Sequence, residues 1–467
     1  MEEIIVHNEN LHLVSADLAN YYKVLPKENA TDGIALFCLE SKNTTEVKEE
    51  LELLLGKKVN LISYSEIQIN KALSIYYRKE RLDNATKAFN IDSGDFLENL
   101  LTEAKGLKSS DIHCEIYEDS ARIRFRIDGQ LIERYKIERE NYLELVNKIK
   151  IRSKLNITEK RLPQDGRITT PSFDIRVSIL PTLYGEKIVM RLLGQDASNI
   201  DLKSLGFQQE ELDGYLEAVK KPNGIILISG PTGSGKTTTL YATLRLLNDS
   251  RRNIVTVEDP IEYTLKGINQ VQLKEDIGLT FSSALKSFLR QDPDVIMLGE
   301  IRDSETALMA IRASLTGHLV LSTIHTNSAI GTVSRLIDMG VPPYLISETL
   351  NLSVAQRLIR KLCNHCKEET TVEEKDFPNS FKIPYPTEKT YKPVGCNECF
   401  HTGYKGRTAI YEVINITNDI ANAIKSNTIV SYFEKDENYK SLPEKAYDVL
   451  AKGETSLDEI YSILLNV

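Results

Sequence analysis

No run of apolar residues in this 467-residue chain approaches the roughly 18–20 that a membrane-spanning helix requires. A segment crossing a bilayer is therefore not expected. The opening Met-Glu-Glu-Ile-Ile-Val-His lacks the basic region of a secretory signal, so none is expected either. Basic residues are outnumbered, 58 against 67 acidic ones, and the net charge of −9 argues against a protein that coats nucleic acid or anionic lipid by bulk charge. Histidine is scarce, with seven in all. Internal repeats and low-complexity stretches are missing as well. What remains is a long, acidic chain with material for two to four domains, and a cytoplasmic location is the expectation.

What is present is led by Gly230-Pro231-Thr232-Gly233-Ser234-Gly235-Lys236-Thr237, a complete phosphate-binding loop. An apolar run, Gly224 to Ser229, leads in as a buried strand, and Thr238 to Leu247 leads out as a helix. Glycines let successive backbone N–H groups curl around phosphate oxygens, and the helix N-terminus adds its positive dipole end. Lys236 is placed to reach the β- and γ-phosphates, the Thr237 hydroxyl to ligate Mg²⁺, and Thr238 opens the helix beside them. The full spacing, with a strand before it, implies a nucleoside-triphosphate site.

Residues 1–80 read as a small α/β module carrying no chemical motif, and a polar joint follows from Arg78 to about Asp92. With no chemistry of its own, this module is a candidate for docking a partner. A second domain spans about 93–195. In it, Ala121-Arg-Ile-Arg-Phe-Arg-Ile127 alternates strictly, Asp128-Gly129 supplies a hairpin turn, and two further strands carry Arg176 and Arg191. Arg122, Arg124 and Arg126 share one face, most simply a solvated one, with a phosphate or interface role as the alternative. From about 200 to 355 a strand-then-helix rhythm repeats, with apolar strands at Gly224–Ser229, Ile254–Val257, Asp294–Leu298 and His318–Ser322. Strands apolar on both faces fit an α/β fold with a parallel sheet and crossover helices. A cysteine-bearing element at 356–410 and a helical region at 411–467 complete the chain.

Two strands end in acids. Asp294-Val-Ile-Met-Leu-Gly-Glu300 resembles a metal-anchoring element, and Ile254-Val-Thr-Val-Glu258-Asp259 is a second. In an open parallel sheet the ligand lies at the C-terminal edge, so Glu300 and Glu258 are expected to converge on the γ-phosphate, one holding metal and the other activating water. His318 and His325 flank another strand; His325 is the candidate γ-phosphate sensor, and a satisfied structural histidine is the alternative. Cys363-x-x-Cys366 and Cys396-x-x-Cys399 offer four thiolates, a pattern suited to a closed structural Zn²⁺ site, with an iron–sulfur centre as the alternative. Cys38 and Cys114 stand alone and read as core residues.

These motifs together resemble the ATPases of type II secretion and type IV pilus assembly, the GspE/PilB type. The likeness rests on Ser110-Asp-Ile-His113, Arg161-Leu-Pro-Gln-Asp-Gly-Arg167, Asp174-Ile-Arg-Val-Ser178, Gly185-Glu-Lys-Ile-Val-Met-Arg191 and the phosphate loop. It continues through Val257-Glu-Asp-Pro-Ile-Glu262, Leu289 to Asp303, Thr316 to Thr326, Ala355-Gln-Arg-Leu358, the four cysteines and Thr402-Gly-Tyr-Lys-Gly-Arg407. The resemblance implies a RecA-like ATPase core, a PAS-like α+β domain before it and a homohexamer. It also implies that Arg176 and Arg191 reach the phosphates and that Arg290 and Arg302 line the site. ATP, Mg²⁺ and Zn²⁺ are the implied cofactors. An inner-membrane platform protein and its associated assembly proteins are the implied partners, holding the motor peripherally at the inner face of the membrane. Lys286 departs from the family pattern, keeping the charge but losing bidentate geometry. A nucleic-acid-associated RecA-like ATPase is the rival reading. It is disfavoured by the acidic balance, and direct nucleic-acid binding is not expected. A slow nucleotide switch is a third.

Overall fold

The computed structural model describes residues 96–169, 173–194 and 201–465 apart from 388 and 437, together with Lys87–Ala88 and, with short gaps, residues 4–76. The expected polar joint from Arg78 to Asp92 lies outside the described residues except for Lys87–Ala88, which pairs beside Tyr135 and Lys136.

Near the N-terminus, strand Gly33–Leu39 pairs antiparallel with Val24–Ala30 and parallel with Val59–Tyr64. Helix Thr45–Leu55 makes the crossover between the parallel pair, closed by Thr44 at its start and by Gly56 (φ 65°) at its end. Leu36, Cys38, Leu51, Ile69 and Leu73 are wholly buried in this unit's own core.

The following α+β domain has seven strands in the order 87–88, 130–137, 121–127, 111–116, 185–194, 173–182, 164–169. Helices Phe96–Gly106 and Arg139–Arg152 cover one face, burying Leu100, Leu101, Tyr142 and Ile149 against Ile123, Phe125, Ile175 and Ile188. The hairpin turn falls at Asp128 (φ 49°) and Gly129 (φ 86°), as the primed turn geometry requires. Opposite the helices the ladder aligns Arg126, Asp111, Arg191, Arg176 and Arg167 in one row across five strands. The solvated face expected for Arg122 and Arg124 is instead a paired one. Both bind Glu115, at 2.9 and 2.7 Å, and Glu115 itself is buried. Burial alone would raise the Glu115 pKa, but the guanidinium bonds prevail and hold it at about 2.

The largest unit is built on a seven-stranded sheet ordered 269–272, 254–258, 295–298, 319–324, 224–229, 350–362, 404–415. All neighbours are parallel except the last pair. Alternate residues feed two cores, with Ile225, Leu227, Val257 and Leu298 on one face and Ile226, Ile228, Met297 and Leu321 on the other. This is the α/β arrangement expected of a P-loop ATPase core. The sheet nevertheless runs beyond residue 355, where the sequence rhythm stops. Leu350–Leu362 lies directly beside the phosphate-loop strand, and Tyr404–Asn415 returns against it. The cysteines therefore occupy the connection between two strands of the main sheet. Helices Asn418–Lys425, Leu442–Ala451 and Leu457–Leu464 pack their apolar faces onto one side of that sheet.

Candidate functional site

Strand Gly224–Ser229 is buried at every position, and its neighbours on both sides fix where it ends. The chain then turns through the loop into helix Lys236–Leu247. Gly230 has φ 149°, and a Cβ there would lie 2.5 Å from the Gln356 carbonyl oxygen. Gly235, at φ 90°, would put a Cβ 2.9 Å from Gln356 Nε2. Both positions require glycine because backbone and a neighbouring strand meet there. The buried Lys236 ammonium donates to the carbonyls of Gly230 (2.8 Å) and Pro231 (3.1 Å). Burial lowers its pKa, Glu300 opposes that, and Arg357 adds to it. Ser234 Oγ is buried without a hydrogen-bond partner among the described residues, a donor that a phosphate oxygen could satisfy. Pro231, Thr232, Gly233 and Thr237 are exposed and Thr238 half-buried, so the loop's outer rim is open to a ligand.

Glu300 follows strand Val295–Leu298, and its place is set by Thr323, whose hydroxyl donates to Gly299 O (2.8 Å) and whose carbonyl accepts from Ile301 N (2.9 Å). Its carboxylate lies 3.0 Å from His325 Nε2 and 2.8 Å from Arg302 Nε. His325 therefore sits at the acid, at the tip of the next strand. His318 is a structural histidine, its Nδ1 2.8 Å from Ala313 O and 3.2 Å from Thr316 Oγ1. Geometry thus separates the two histidines that flank this strand.

Glu258 departs from the expected convergence. It is 3% exposed, and neutral donors occupy both its oxygens: Thr256 Oγ1 at 2.7 Å, Gln270 Nε2 at 3.0 Å and the Tyr241 hydroxyl. Its carboxylate thus ties the end of its strand to the loop helix through Tyr241 and to the edge strand through Gln270. The carboxylate of that loop within reach of the neighbouring domain is Glu262, a residue to which sequence reasoning gave no role of its own. Arg176 donates to Ile261 O and lies 3.9 Å from Glu262 Oε2, so an arginine of the α+β domain does touch the acidic loop of the ATPase unit. Arg191 stands beside Arg176 in the ladder but bonds Asp111 of its own domain at 3.0 Å. Lys286 pairs with Glu305 (2.8 Å), and Arg290, just past the end of the same helix, donates to Lys286 O (2.9 Å).

The four cysteine sulfurs all lie within 4.8 Å of one another. Cys363–Cys396 is 3.9 Å, Cys366–Cys399 3.7 Å and Cys396–Cys399 3.8 Å. A tetrahedral ion with bonds of about 2.3 Å has edges of about 3.8 Å, so the set fits one Zn²⁺-sized ion. It is too tight for a cluster carrying its own irons and sulfides. Backbone N–H groups of Gly395, Cys396 and Gly403 point at the sulfurs from 3.2–3.3 Å, the donors a thiolate centre needs. Cys38 and Cys114 are buried in the two preceding units, as core residues.

Residues 92–462 match the family described as Type II/IV secretion system protein. The chain belongs to that family. It is 39% identical to the type IV pilus assembly ATPase PilB of Myxococcus xanthus over 98% of this chain and 87% of the relative. It is 46% identical to the type II secretion system ATPase E of Vibrio cholerae over 78% and 74%. Among solved structures, the pilus retraction motor PilT with bound ADP superposes with a TM-score of 0.55 at 26% identity, covering 78% of this chain and 96% of that one. The phosphate loop and this membership together make the chain an ATP hydrolase of the secretion and pilus class. No helix among the described residues is long and apolar enough to cross a membrane.

Proposed function

We propose that this chain is a homohexameric motor that hydrolyses Mg²⁺-ATP to drive type IV pilus assembly or type II protein secretion through an inner-membrane platform protein. In this reading Lys236 exchanges its loop carbonyls for the β- and γ-phosphates, and Thr237 ligates Mg²⁺. Glu300 orients and deprotonates the water that attacks the γ-phosphorus as the bond to the β-phosphate oxygen breaks. His325 reports the γ-phosphate to Glu300. Arg176 closes onto the phosphates from the α+β domain, joined by Arg191 when it leaves Asp111, and Glu258 holds the acidic loop. Zn²⁺ on Cys363, Cys366, Cys396 and Cys399 has no open position and is structural. Residues 1–80 dock the motor to its membrane partner, which keeps a cytoplasmic protein at the inner face.

The observation that carries this reading is the Glu300–His325 contact at 3.0 Å, at the tips of adjacent strands, the second of which flanks the phosphate-loop strand. Glu300 thus has a histidine and an arginine beside it at the C-terminal edge of the sheet, where an open parallel sheet holds its ligand. Glu300→Gln keeps the shape and loses the charge. It is expected to retain Mg²⁺-ATP binding while turnover falls by about 100-fold or more. Lys236→Ala is expected to lose both. Turnover within a few-fold of the parent in either variant refutes the assignment. Deleting residues 1–80 should spare basal hydrolysis and abolish membrane recruitment.

A further inference from the structure

Resting on the proposed hydrolysis site and going beyond it, we infer that Gln356 and Arg357 are positioning residues that form the floor of the phosphate loop and tie it to the turn carrying His325. Their strand runs parallel to the loop strand with Ala355 beside Ser229, so Gln356 stands where the loop begins. The Gln356 carbonyl meets the first loop glycine and its side-chain amide meets the last, within 2.5 and 2.9 Å of where a Cβ would be on Gly230 and Gly235. Its Oε1 also accepts from Thr239 Oγ1 (2.9 Å) in the first turn of the following helix. One 2%-exposed residue thus serves both ends of the loop, its backbone at the first glycine and its side chain at the last.

Arg357 makes the second connection. Its Nη1 donates to the Gln356 carbonyl (3.0 Å), and its Nη2 donates to Asn327 O (3.0 Å), two residues after His325. The guanidinium is buried, and these acceptors are neutral. The carboxylate that influences it, Glu412, is itself turned to Ala329 N, Leu442 N and the Tyr439 hydroxyl. A buried cation whose hydrogen-bond acceptors are neutral, and which acts on Lys236, adds a positive charge behind the loop that bound phosphates would help to offset. The fork geometry matters separately, because only a guanidinium reaches Gln356 O and Asn327 O at once.

The two residues therefore make different predictions in steady-state ATP hydrolysis by the full chain with Mg²⁺. Gln356→Ala should loosen the loop and raise KM about 10-fold with kcat within about threefold. Arg357→Lys keeps the charge but cannot bridge both carbonyls, so kcat should fall about 10-fold or more with KM within about threefold. Arg357→Gln, which also removes the charge, should raise KM as well. Thermal unfolding shows which variants fold. If one of the pair is unfolded, the other decides. Both kcat and KM within twofold of the parent in the folded variants overturns the inference, as does an identical loss of kcat in both with KM unchanged. Glu300→Gln, run alongside, separates the two levels. If it remains active, the site reading fails; if it stalls while the floor variants do not, only this inference fails.

Discussion

Glu258→Gln is the perturbation that separates chemistry from scaffolding most cleanly in this site. The native carboxylate accepts from Thr256, Gln270 and Tyr241. An amide at this position must turn its nitrogen towards one of these donors. Gln270 cannot accommodate it by flipping, because its Oε1 accepts from Leu265 N (2.7 Å) and its Nε2 donates to Tyr263 O (3.1 Å). The nitrogen therefore faces the Tyr241 hydroxyl, whose oxygen already accepts from Glu262 N (3.4 Å) and must now accept from the amide as well, while the other bonds lose their charge assistance. Hydrogen bonds to a charged group are worth about 1.5–3 kcal/mol against about 1 for neutral ones, so the total loss is about 2–4 kcal/mol. For a unit of 150–250 residues that corresponds to a fall in Tm of roughly 5–15 °C in the transition that includes the ATPase core. Calorimetry gives the shift, and hydrogen exchange at residues 259–268 localises it. Turnover should fall with the loosened loop. Glu262→Gln, on a surface position, should move Tm by no more than about 2 °C and lower turnover by a different route. If Glu258→Gln leaves Tm and loop protection unchanged and still stalls hydrolysis, Glu258 works on the water directly and the anchoring role is refuted.

His325→Gln should cut turnover at least 10-fold with little change in nucleotide affinity, whereas His318→Gln should change stability only; equal kinetic effects would remove the distinction between them. Arg176→Ala should lower kcat about 100-fold with a small rise in KM, because a phosphate-facing arginine acts as charge develops. Arg191→Ala should do the same only if the residue leaves Asp111 during turnover, and single-turnover rates for both variants test this. Cys363→Ser should release bound metal, measured by elemental analysis, and increase protease sensitivity between residues 363 and 399 while ATP still binds. Protein that contains no zinc when purified without chelator, or iron in its place, would overturn that assignment.

The phosphate loop, the acid-tipped strands and the paired cysteines were legible because each depends on local spacing. A loop that wraps phosphate needs its glycines and lysine within eight consecutive residues, and a two-thiolate knuckle needs them within four. The extent of the sheet was not legible. Leu350–Leu362 reads as an apolar run like any other, and nothing in its composition says that it inserts beside Gly224–Ser229 or that Tyr404–Asn415 returns to it across the cysteine element. Strand order is a long-range property, and here it decides function, because that insertion brings Gln356 and Arg357 beneath Gly230. Glu258 and Glu262 show the same limit at shorter range. Both are acids at one strand end, and periodicity cannot tell which turns inward. The outcome depends on Tyr241 and Gln270, donors contributed by the loop helix and the edge strand, which enclose the first and leave the second to face Arg176. Spacing therefore singles out candidate acids and histidines, while what each of them touches is set by neighbours distant in the chain.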